Sequence, residues 1–504
     1  MQTALLGRFD EVGNGITGPT NGIRGAPPAL PELALGWMFQ DTGLRGPEVA
    51  ALTTVLIGPL LLVFLALLLR RISGSNRIAL FLATLYTFVF LGALQRPINH
   101  SVTLPYTVAV LLCISLTLER KHLLWTIVSV LLLTLLPAIY FWSWTFLWAV
   151  AAILLFLTIV LPQGSERSCL FRKLLWSGGM VFVFALPLLV RTWVVQTTSP
   201  FFSEMALYRS GLYPTHAIES PERSMLLLLL SAAAGVLFWK RRKVTLLLPV
   251  SMVFGIFLAM HQNVLHGKDF MFSSHYYPYV CLSAVALCAW VLGNTHFSSI
   301  ALFLRNGFRT LLLQWPEWLT VGITAVFLIA GMWDYRVAWS FIFTQPEHLH
   351  SQHLAPALQI LSDGKRETVL TDPETALMVK AWTDDDVPFT PYVQHLLVSN
   401  AEFAARACMA SLLSPQGPDV RAIAWHTVQY RGEHLLEDRV RELQPVCDAL
   451  RKNPRAALRF YHVDLLLWNE AEHPEWRIDP LLFTVLQTGE GWSLWRLKED
   501  LALH

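Results

Sequence analysis

Residues 49–70 read VAALTTVLIGPLLLVFLALLLR, and this stretch decides the fold class. A helix needs about 20 apolar residues to cross the hydrocarbon core of a bilayer, where only helices and closed barrels satisfy their backbone polar groups. The stretch reaches that length, and its only charge, Arg70, stands at its end. It therefore predicts a transmembrane helix.

Similar stretches continue as far as residue 335. Residues 123–162 form a run about twice the length of one span, and Pro137 followed by Tyr140, Trp142 and Trp144 marks its middle. We interpret this run as two helices that turn at an aromatic belt. Together the stretches predict about ten transmembrane helices. The remaining predicted spans are residues 77–95, 101–118, 174–196, 224–239, 242–261, 276–293 and 317–335.

The overall composition agrees with a membrane protein and excludes several other classes. The chain is 54% hydrophobic and 15% charged, whereas soluble proteins carry about 25% charged residues. A formal net charge of +2 gives no reason to expect a nucleic-acid partner. The six cysteines have no zinc-ligand spacing, so we expect no structural metal site. Cys408 and Cys447 could pair if their domain lies outside the cytoplasm.

Basic residues indicate the orientation of the chain, because short cytoplasmic loops are enriched in Lys and Arg. These residues concentrate in every second predicted loop. This pattern places both the N-terminal tail and the C-terminal domain outside the cytoplasm, in a multi-pass plasma-membrane protein. The basic residues of the predicted cytoplasmic loops are Arg70, Arg71, Arg77, Arg120, Lys121, Arg167, Arg172, Lys173, Lys240, Arg241, Arg242, Lys243, Arg305 and Arg309.

The chain divides into three predicted segments: an external tail (1–48), a transmembrane domain (49–335) and an external soluble α/β domain (336–504). The tail is rich in Gly and Pro and reads as an irregular loop. No helix precedes it to carry it across, so we hypothesise that an upstream helix present in relatives is missing. The α/β domain is predicted from short strands and helices. The strands are 368–371, 387–390, 422–425, 463–468, 482–487 and 493–497, and the helices are 374–380, 400–413 and 436–451.

The candidate site is the predicted outer loop 261–279, HQNVLHGKDFMFSSHYYPY. Its His and Lys side chains could hold a lipid-linked phosphate, and Asp269 or a histidine could act as a base. The alternative is an interfacial belt of Tyr and His with solvated polar groups. The residues assigned to substrate binding in this loop are His266, Lys268, Asp269, His275 and Tyr276.

Two other polar groups stand outside that loop. Arg96, on another predicted outer turn, could face the same cavity, although an arginine that snorkels from a helix end is the favoured explanation. Asp384, Asp385 and Asp386 form an acidic turn in the C-terminal domain. We interpret this turn as solvated rather than as a metal site.

Three features resemble the GT-C superfamily of membrane glycosyltransferases. The first is the outer loop, with Gln262, Gly267 and the pair His275-Tyr276. The second is the turn at Trp142–Trp144. The third, Trp333-Asp334-Tyr335, is similar to the WWDYG motif of the oligosaccharyltransferase catalytic subunit, with Met332 and Arg336 replacing the first Trp and the Gly. The chain resembles uncharacterised GT-C-like proteins more closely, and dolichyl-phosphate-mannose-type transferases only distantly.

This resemblance implies an inverting enzyme that transfers a sugar from a polyprenyl-phosphate donor to an acceptor on the outer face of the cell envelope. It also implies an acidic residue in the first outer loop that acts as general base. Asp10 and Glu11 form the only acidic pair near that place, and they are the catalytic candidates. Neither a cofactor nor an oligomeric state follows from the resemblance.

Two other functions compete with glycosyl transfer. One is a transporter for a lipid-linked glycan, and the other is a non-catalytic scaffold whose external domain binds a partner. Transporters place charged residues near the membrane midplane. Here the charges cluster at the ends of the spans, which argues against ion-coupled transport.

Overall fold

The computed structural model of the protein describes residues 30–90, 100–118, 123–161, 165–198, 201–205, 212–214, 216, 218, 221–270, 273–294, 315–334, 352–390, 398–428 and 433–498. The chain divides into two compact units. The membrane unit comprises Ala50–Arg191 and Thr215–Thr344. The C-terminal unit is built on Gln345–His504 and also includes Met1–Val49 and Thr192–Pro214.

Helices dominate the chain up to residue 334. Helix α1 (Leu30–Phe39) lies in the tail that the sequence predicts to be irregular, and Pro31 occupies its first turn, where proline is tolerated. The helices that follow are α2 (Gly46–Ser73), α3 (Asn76–Phe90), α4 (His100–Thr117), α5 (Leu123–Leu135), α6 (Phe141–Val160), α7 (Ser165–Thr198), α8 (Pro221–Arg241), α9 (Val244–Met260), α10 (Gln262–His266), α11 (Tyr277–Asn294) and α12 (Trp315–Asp334). Two short strands, β1 (Leu212–Pro214) and β2 (Lys268–Phe270), lie among them.

The lengths of these helices identify a helical membrane protein. Within the described ranges, six helices are long and apolar enough to cross a membrane: Ala51–Ser73, Phe141–Val160, Arg167–Arg191, Pro221–Arg241, Tyr277–Asn294 and Trp315–Trp333. Shorter apolar helices occupy Asn76–Phe90, Val102–Thr117, Leu123–Ala138 and Val244–Met260. The membrane prediction is confirmed.

The long apolar run after residue 123 is divided as the sequence predicts. Helix α5 ends at Leu135, and a single 3-10 turn, Leu136–Ala138, follows with Pro137 in its middle. Tyr140 has extended backbone angles, and α6 begins at the next residue. Since proline cannot donate the hydrogen bond that would continue a helix, Pro137 fixes the position of this break.

Burial differs strongly among the apolar helices of the membrane unit. In α11, 83% of the apolar segment of the helix is buried, and this helix packs against α3, α9 and α12. In α7 the corresponding share is 11%. Two buried hydroxyls of α11 and α12 donate within their own helix. Ser283 donates to the carbonyl of Tyr279 at 2.8 Å, and Thr324 donates to that of Thr320 at 2.7 Å.

The C-terminal unit contains a four-stranded sheet with the order β3-β4-β6-β5. Strand β3 runs parallel to β4, whereas β6 is antiparallel to both β4 and β5. The bounds of the strands are β3 (Val369–Leu370), β4 (Leu465–Asn469), β5 (Phe483–Gly489) and β6 (Trp492–Leu497). The helices are α13 (Ala355–Asp363), α14 (Pro373–Trp382), α15 (Asn400–Ala410), α16 (Val420–Val428), α17 (Leu436–Lys452) and α18 (Pro454–Phe460).

Helices cover both faces of this sheet. Alternate residues of a strand point to opposite faces, so neighbouring residues of β4 contact different helices. Leu465 and Leu467 of β4 pack with the side chains of α13 and α14. Leu466, between them, packs on the other side with α15 and α18. The residues of β4 that face one helix layer are buried, and so are those that face the other. This explains the continuous apolar sequence of β4.

Two strand predictions in this unit are wrong. The predicted strand 422–425 lies inside helix α16, whose buried residues Val420, Ile423, Ala424 and Thr427 recur with helical spacing. Residues 387–390, all described, form no strand, although Val387 takes part in a bridge and a parallel bridge joins the preceding Asp386 to Thr368.

Cys408 and Cys447 form a disulfide between α15 and α17, with their Cα atoms 5.5 Å apart. Both cysteines are buried in a cluster that includes Phe403, Ile423 and Leu443. The sequence analysis predicts this disulfide on the condition that the domain lies outside the cytoplasm.

Candidate functional site

The structure describes part of the predicted site. Asp10, Glu11 and Arg96 lie outside the described residues. Lys268 and Asp269 form part of the backbone of β2, and their side chains are also outside the described part. His266, His275 and Tyr276 are described in full.

His266 is exposed in the last turn of α10, and the helix ends there because of Gly267. Gly267 has a φ of 70°, a conformation that a side chain disfavours. A Cβ at this position would also lie 2.7 Å from Nε2 of His216. Gly267 is therefore required for the turn that leads from α10 into β2.

His275 and Tyr276 are brought together with residues from the break between α5 and α6. The imidazole of His275 stacks on the indole of Trp142, with ring centroids 4.4 Å apart and an interplanar angle of 19°. Nδ1 of His275 is hydrogen-bonded to the hydroxyl of Tyr140. The Tyr140 ring also packs against Trp142, with centroids 5.0 Å apart. The sequence identified both regions separately but did not pair them.

Tyr276 forms the second contact between the same two regions. Its hydroxyl lies 2.6 Å from Oγ1 of Thr145 and accepts a hydrogen bond from Nε2 of Gln262 at 2.9 Å. One helical turn further along, the hydroxyl of Tyr279 lies 2.6 Å from Oγ of Ser143. We call Tyr140, Trp142, Ser143, Thr145, Gln262, His275, Tyr276 and Tyr279 the His275 cluster.

A second histidine lies beside this cluster in sequence. Nδ1 of His261 is 2.7 Å from the carbonyl oxygen of Phe257, and Nε2 is 2.9 Å from Oγ of Ser224. A carbonyl can only accept a hydrogen bond, so Nδ1 carries the proton. In the neutral imidazole Nε2 then accepts from Ser224. This arrangement anchors the end of α9, just before Gln262.

The sequence did not assign Tyr140, Thr145, Gln262 or Tyr279 to the site. A signal existed for the first two, because they flank the aromatic belt that marks the turn at Pro137. Gln262 enters only through the resemblance, and within the predicted loop nothing in the local pattern separates Tyr279 from its polar neighbours. Their pairing partners lie far away in the chain, as with Tyr140 and His275, which are 135 residues apart.

The described groups of the His275 cluster are hydroxyl, amide, imidazole and indole. Hydroxyls and amides both donate and accept hydrogen bonds, and aromatic faces pack against apolar surfaces. These groups suit a ligand that carries several hydroxyls and an apolar face, such as a sugar ring. They do not include a carboxylate that could act as a base. Among the described residues, no group of three metal-ligating side chains lies together.

The acidic turn of the C-terminal unit is only partly solvated, contrary to the expectation from its sequence. Asp385 is buried, and one of its carboxylate oxygens accepts a hydrogen bond from the backbone N–H of Glu367 at 2.8 Å. Asp386 forms ion pairs with Arg366 at 2.6 Å and Lys380 at 3.3 Å. Two of the three aspartates therefore stabilise the turn.

We expect the stability of this turn to depend on pH through Asp385. Burial raises the pKa of its carboxyl from the usual 3.8 to about 6. A carboxyl whose pKa is higher in the folded state than in the unfolded state contributes fully to stability at pH values below its unfolded pKa. This contribution is lost as the pH rises through the folded pKa of about 6. The expected loss is about 2 kcal/mol between pH 4 and pH 8. Hydrogen exchange of residues 367–386 in the full chain measures it.

The substitution Asp385→Asn should remove most of this pH dependence, because the amide stays neutral. Asp384→Asn, one residue earlier, should retain the slope of the wild type and serves as the control. An unchanged slope in the Asp385→Asn protein would assign the pH dependence to other groups.

Comparisons with known proteins do not place the chain in a family. Neither the family models nor the curated proteins that were searched contain a match.

Proposed function

We propose that the chain is a GT-C-type membrane glycosyltransferase with ten spans, in which the His275 cluster binds the sugar of a polyprenyl-phosphate donor. The observation that carries this proposal is the contact of two polar turns within an otherwise apolar membrane unit. Tyr140, Trp142 and Thr145 come from one turn, and His275 and Tyr276 come from the other. Passive connectors of a helix bundle do not require such a concentration of hydrogen-bonding groups.

The disulfide supports the proposed orientation. Disulfides form and persist in oxidising compartments and are rare in the cytosol. The Cys408–Cys447 pair therefore favours a C-terminal unit outside the cytoplasm. The alternation of basic loops points the same way. The His275 cluster then lies at the outer face, where polyprenyl-phosphate sugars would be used.

The proposed reaction inverts the configuration at the sugar. A carboxylate of Asp10 or Glu11 takes the proton of an acceptor hydroxyl, whose oxygen forms a bond to the anomeric carbon. The bond between that carbon and the phosphate oxygen breaks, and the polyprenyl phosphate leaves with the electron pair. Cationic groups such as Arg96 and Lys268 stabilise the departing phosphate. The His275 cluster holds the sugar during this exchange.

The proposal predicts weaker donor binding when the cluster is altered. His275→Ala removes both the hydrogen bond to Tyr140 and the stacking on Trp142. We expect about a tenfold increase in the Kd for a short-chain polyprenyl-phosphate sugar. Tyr140→Phe should weaken binding severalfold. Calorimetry on the detergent-purified chain gives both values.

Tyr106→Phe is the matched control for Tyr140→Phe. It also removes one tyrosine hydroxyl from the membrane unit, and that hydroxyl donates only to the carbonyl of Leu132, at 2.7 Å. Its Kd should equal that of the wild type. A folded wild-type chain that binds no donor would contradict the proposal and favour a scaffold. Binding that the His275→Ala substitution leaves unchanged would place the donor elsewhere.

A further inference from the structure

A cavity of about 270 Å³ lies inside the membrane unit between helices α4, α5, α6 and α7. Its walls are mainly apolar, and each of the four helices contributes to them. The side chains that form much of the wall are Ile114 of α4, Val130 and Leu133 of α5, Leu155 of α6, and Val181 and Phe182 of α7. This cavity belongs to neither the His275 cluster nor the acidic turn.

Helix α7 forms one wall but is hardly covered by protein. Only 11% of its apolar segment is buried, and Trp176 is 75% exposed. At Gly178, which lines the cavity, an added Cβ would meet no atom within 4 Å. A void between apolar walls loses dispersion contacts unless hydrocarbon fills it, and water gains too few hydrogen bonds there. The surroundings therefore favour an acyl chain as the occupant.

Positive charge lies beside the cavity. Thr117 lines the cavity, and its carbonyl oxygen lies 2.5 Å from Nζ of Lys173. Lys173 directly precedes Leu174, another lining residue. Nearby on α2, Nε of Arg71 donates to Oγ of Ser115 at 3.3 Å. Two cations thus lie at the end of α4, beside the lining residue Thr117. This charge is complementary to an anionic lipid headgroup.

We propose that this cavity binds one acyl chain of an anionic bilayer phospholipid, whose phosphate pairs with Lys173. The lipid completes the packing between α7 and the helices beside it. This site is separate from the proposed donor site, and it requires only that the protein is embedded in a membrane. Its ligand is a lipid of the surrounding bilayer.

Two adjacent glycines of α7 offer a matched test. Gly178 lines the cavity, whereas Gly179 is not among the lining residues; both glycines are exposed, and neither has an atom near its Cβ position. Gly178→Phe should therefore block the cavity without a clash, and Gly179→Phe should leave it open. The full chain is purified in detergent and titrated with phosphatidylglycerol or phosphatidylcholine, and native mass spectrometry counts the bound lipid.

The wild type and Gly179→Phe should each bind one phosphatidylglycerol tightly, and Gly178→Phe should bind it about tenfold more weakly. Lys173→Gln should reduce the preference for phosphatidylglycerol over phosphatidylcholine roughly fivefold. Lys243→Gln, at an exposed basic turn, should leave that preference unchanged.

Three results would overturn the inference. The first is equal retention of phosphatidylglycerol by the two glycine variants. The second is binding of polyprenyl phosphate alone at this site, which would make the cavity part of the donor pathway. The third is a change from dimer to monomer in Gly178→Phe, which would show that a second copy of the chain covers α7.

Discussion

Replacement of Cys408 and Cys447 by serine should lower the free energy of unfolding of the C-terminal unit by about 4 kcal/mol. The disulfide joins residues 39 positions apart and so restricts the unfolded chain considerably. It also connects α15 to α17 inside a buried apolar cluster, where two serine hydroxyls would lack good partners. Pulse proteolysis of the full chain in increasing urea measures the change, and reducing agent should reproduce it in the wild type.

Cys169→Ser provides the control, since Cys169 is a free and exposed cysteine. Its substitution should leave both the urea midpoint and the response to reducing agent unchanged. If reduction left the midpoint of the wild type unaltered, the disulfide would not stabilise the unit. The argument for an oxidising compartment would then weaken as well.

The substitution Arg406→Ala should destabilise the same unit by about 3 kcal/mol. The Arg406 side chain is fully buried. Its Nε donates to the carboxylate of Glu402 at 2.8 Å, its Nη1 donates to the carbonyl of Pro388 at 2.9 Å, and its Cζ lies 5.1 Å from the centroid of the Tyr461 ring. Alanine would leave these groups without their donor and open a cavity in the core.

Arg441→Ala is the comparison, because Arg441 also pairs with an acidic side chain in this unit. Its partner is Asp438, and the two side chains are 78% and 67% exposed. Ion pairs in such positions contribute about 0.5 kcal/mol or less. The same urea titration should therefore show a large shift for one arginine and almost none for the other. Similar shifts in both variants would contradict a structural role for the buried guanidinium.

The apolar spans were predictable because a bilayer imposes a length and a composition on every helix that crosses it. The break at Pro137 was predictable for a local reason, the missing N–H of proline. The strands β4, β5 and β6 were predictable from short apolar runs. Residues 422–425 were assigned to the wrong class because a short apolar run fits a buried strand and a buried helix equally well.

The candidate site was predictable only in part, since it depends on contacts between distant segments. His275 and Tyr276 were selected for their chemistry. Their partners Tyr140 and Thr145 are more than a hundred residues away, and local pattern carries no information about which turns meet. The environment of Asp385 has the same origin, because the backbone N–H that donates to it belongs to Glu367, 18 residues earlier in the chain.

The burial of α11 has a consequence for how the chain enters the bilayer. This helix carries Ser283, two tyrosines, two cysteines and a proline near its start, and it is largely surrounded by other helices. Insertion depends on the transfer of each side chain into hydrocarbon, and this helix gains less from that transfer than the more apolar Ala51–Ser73 does. Its place in the membrane is therefore secured by α3, α9 and α12, so that biogenesis must bring these helices together before α11 is released into the bilayer.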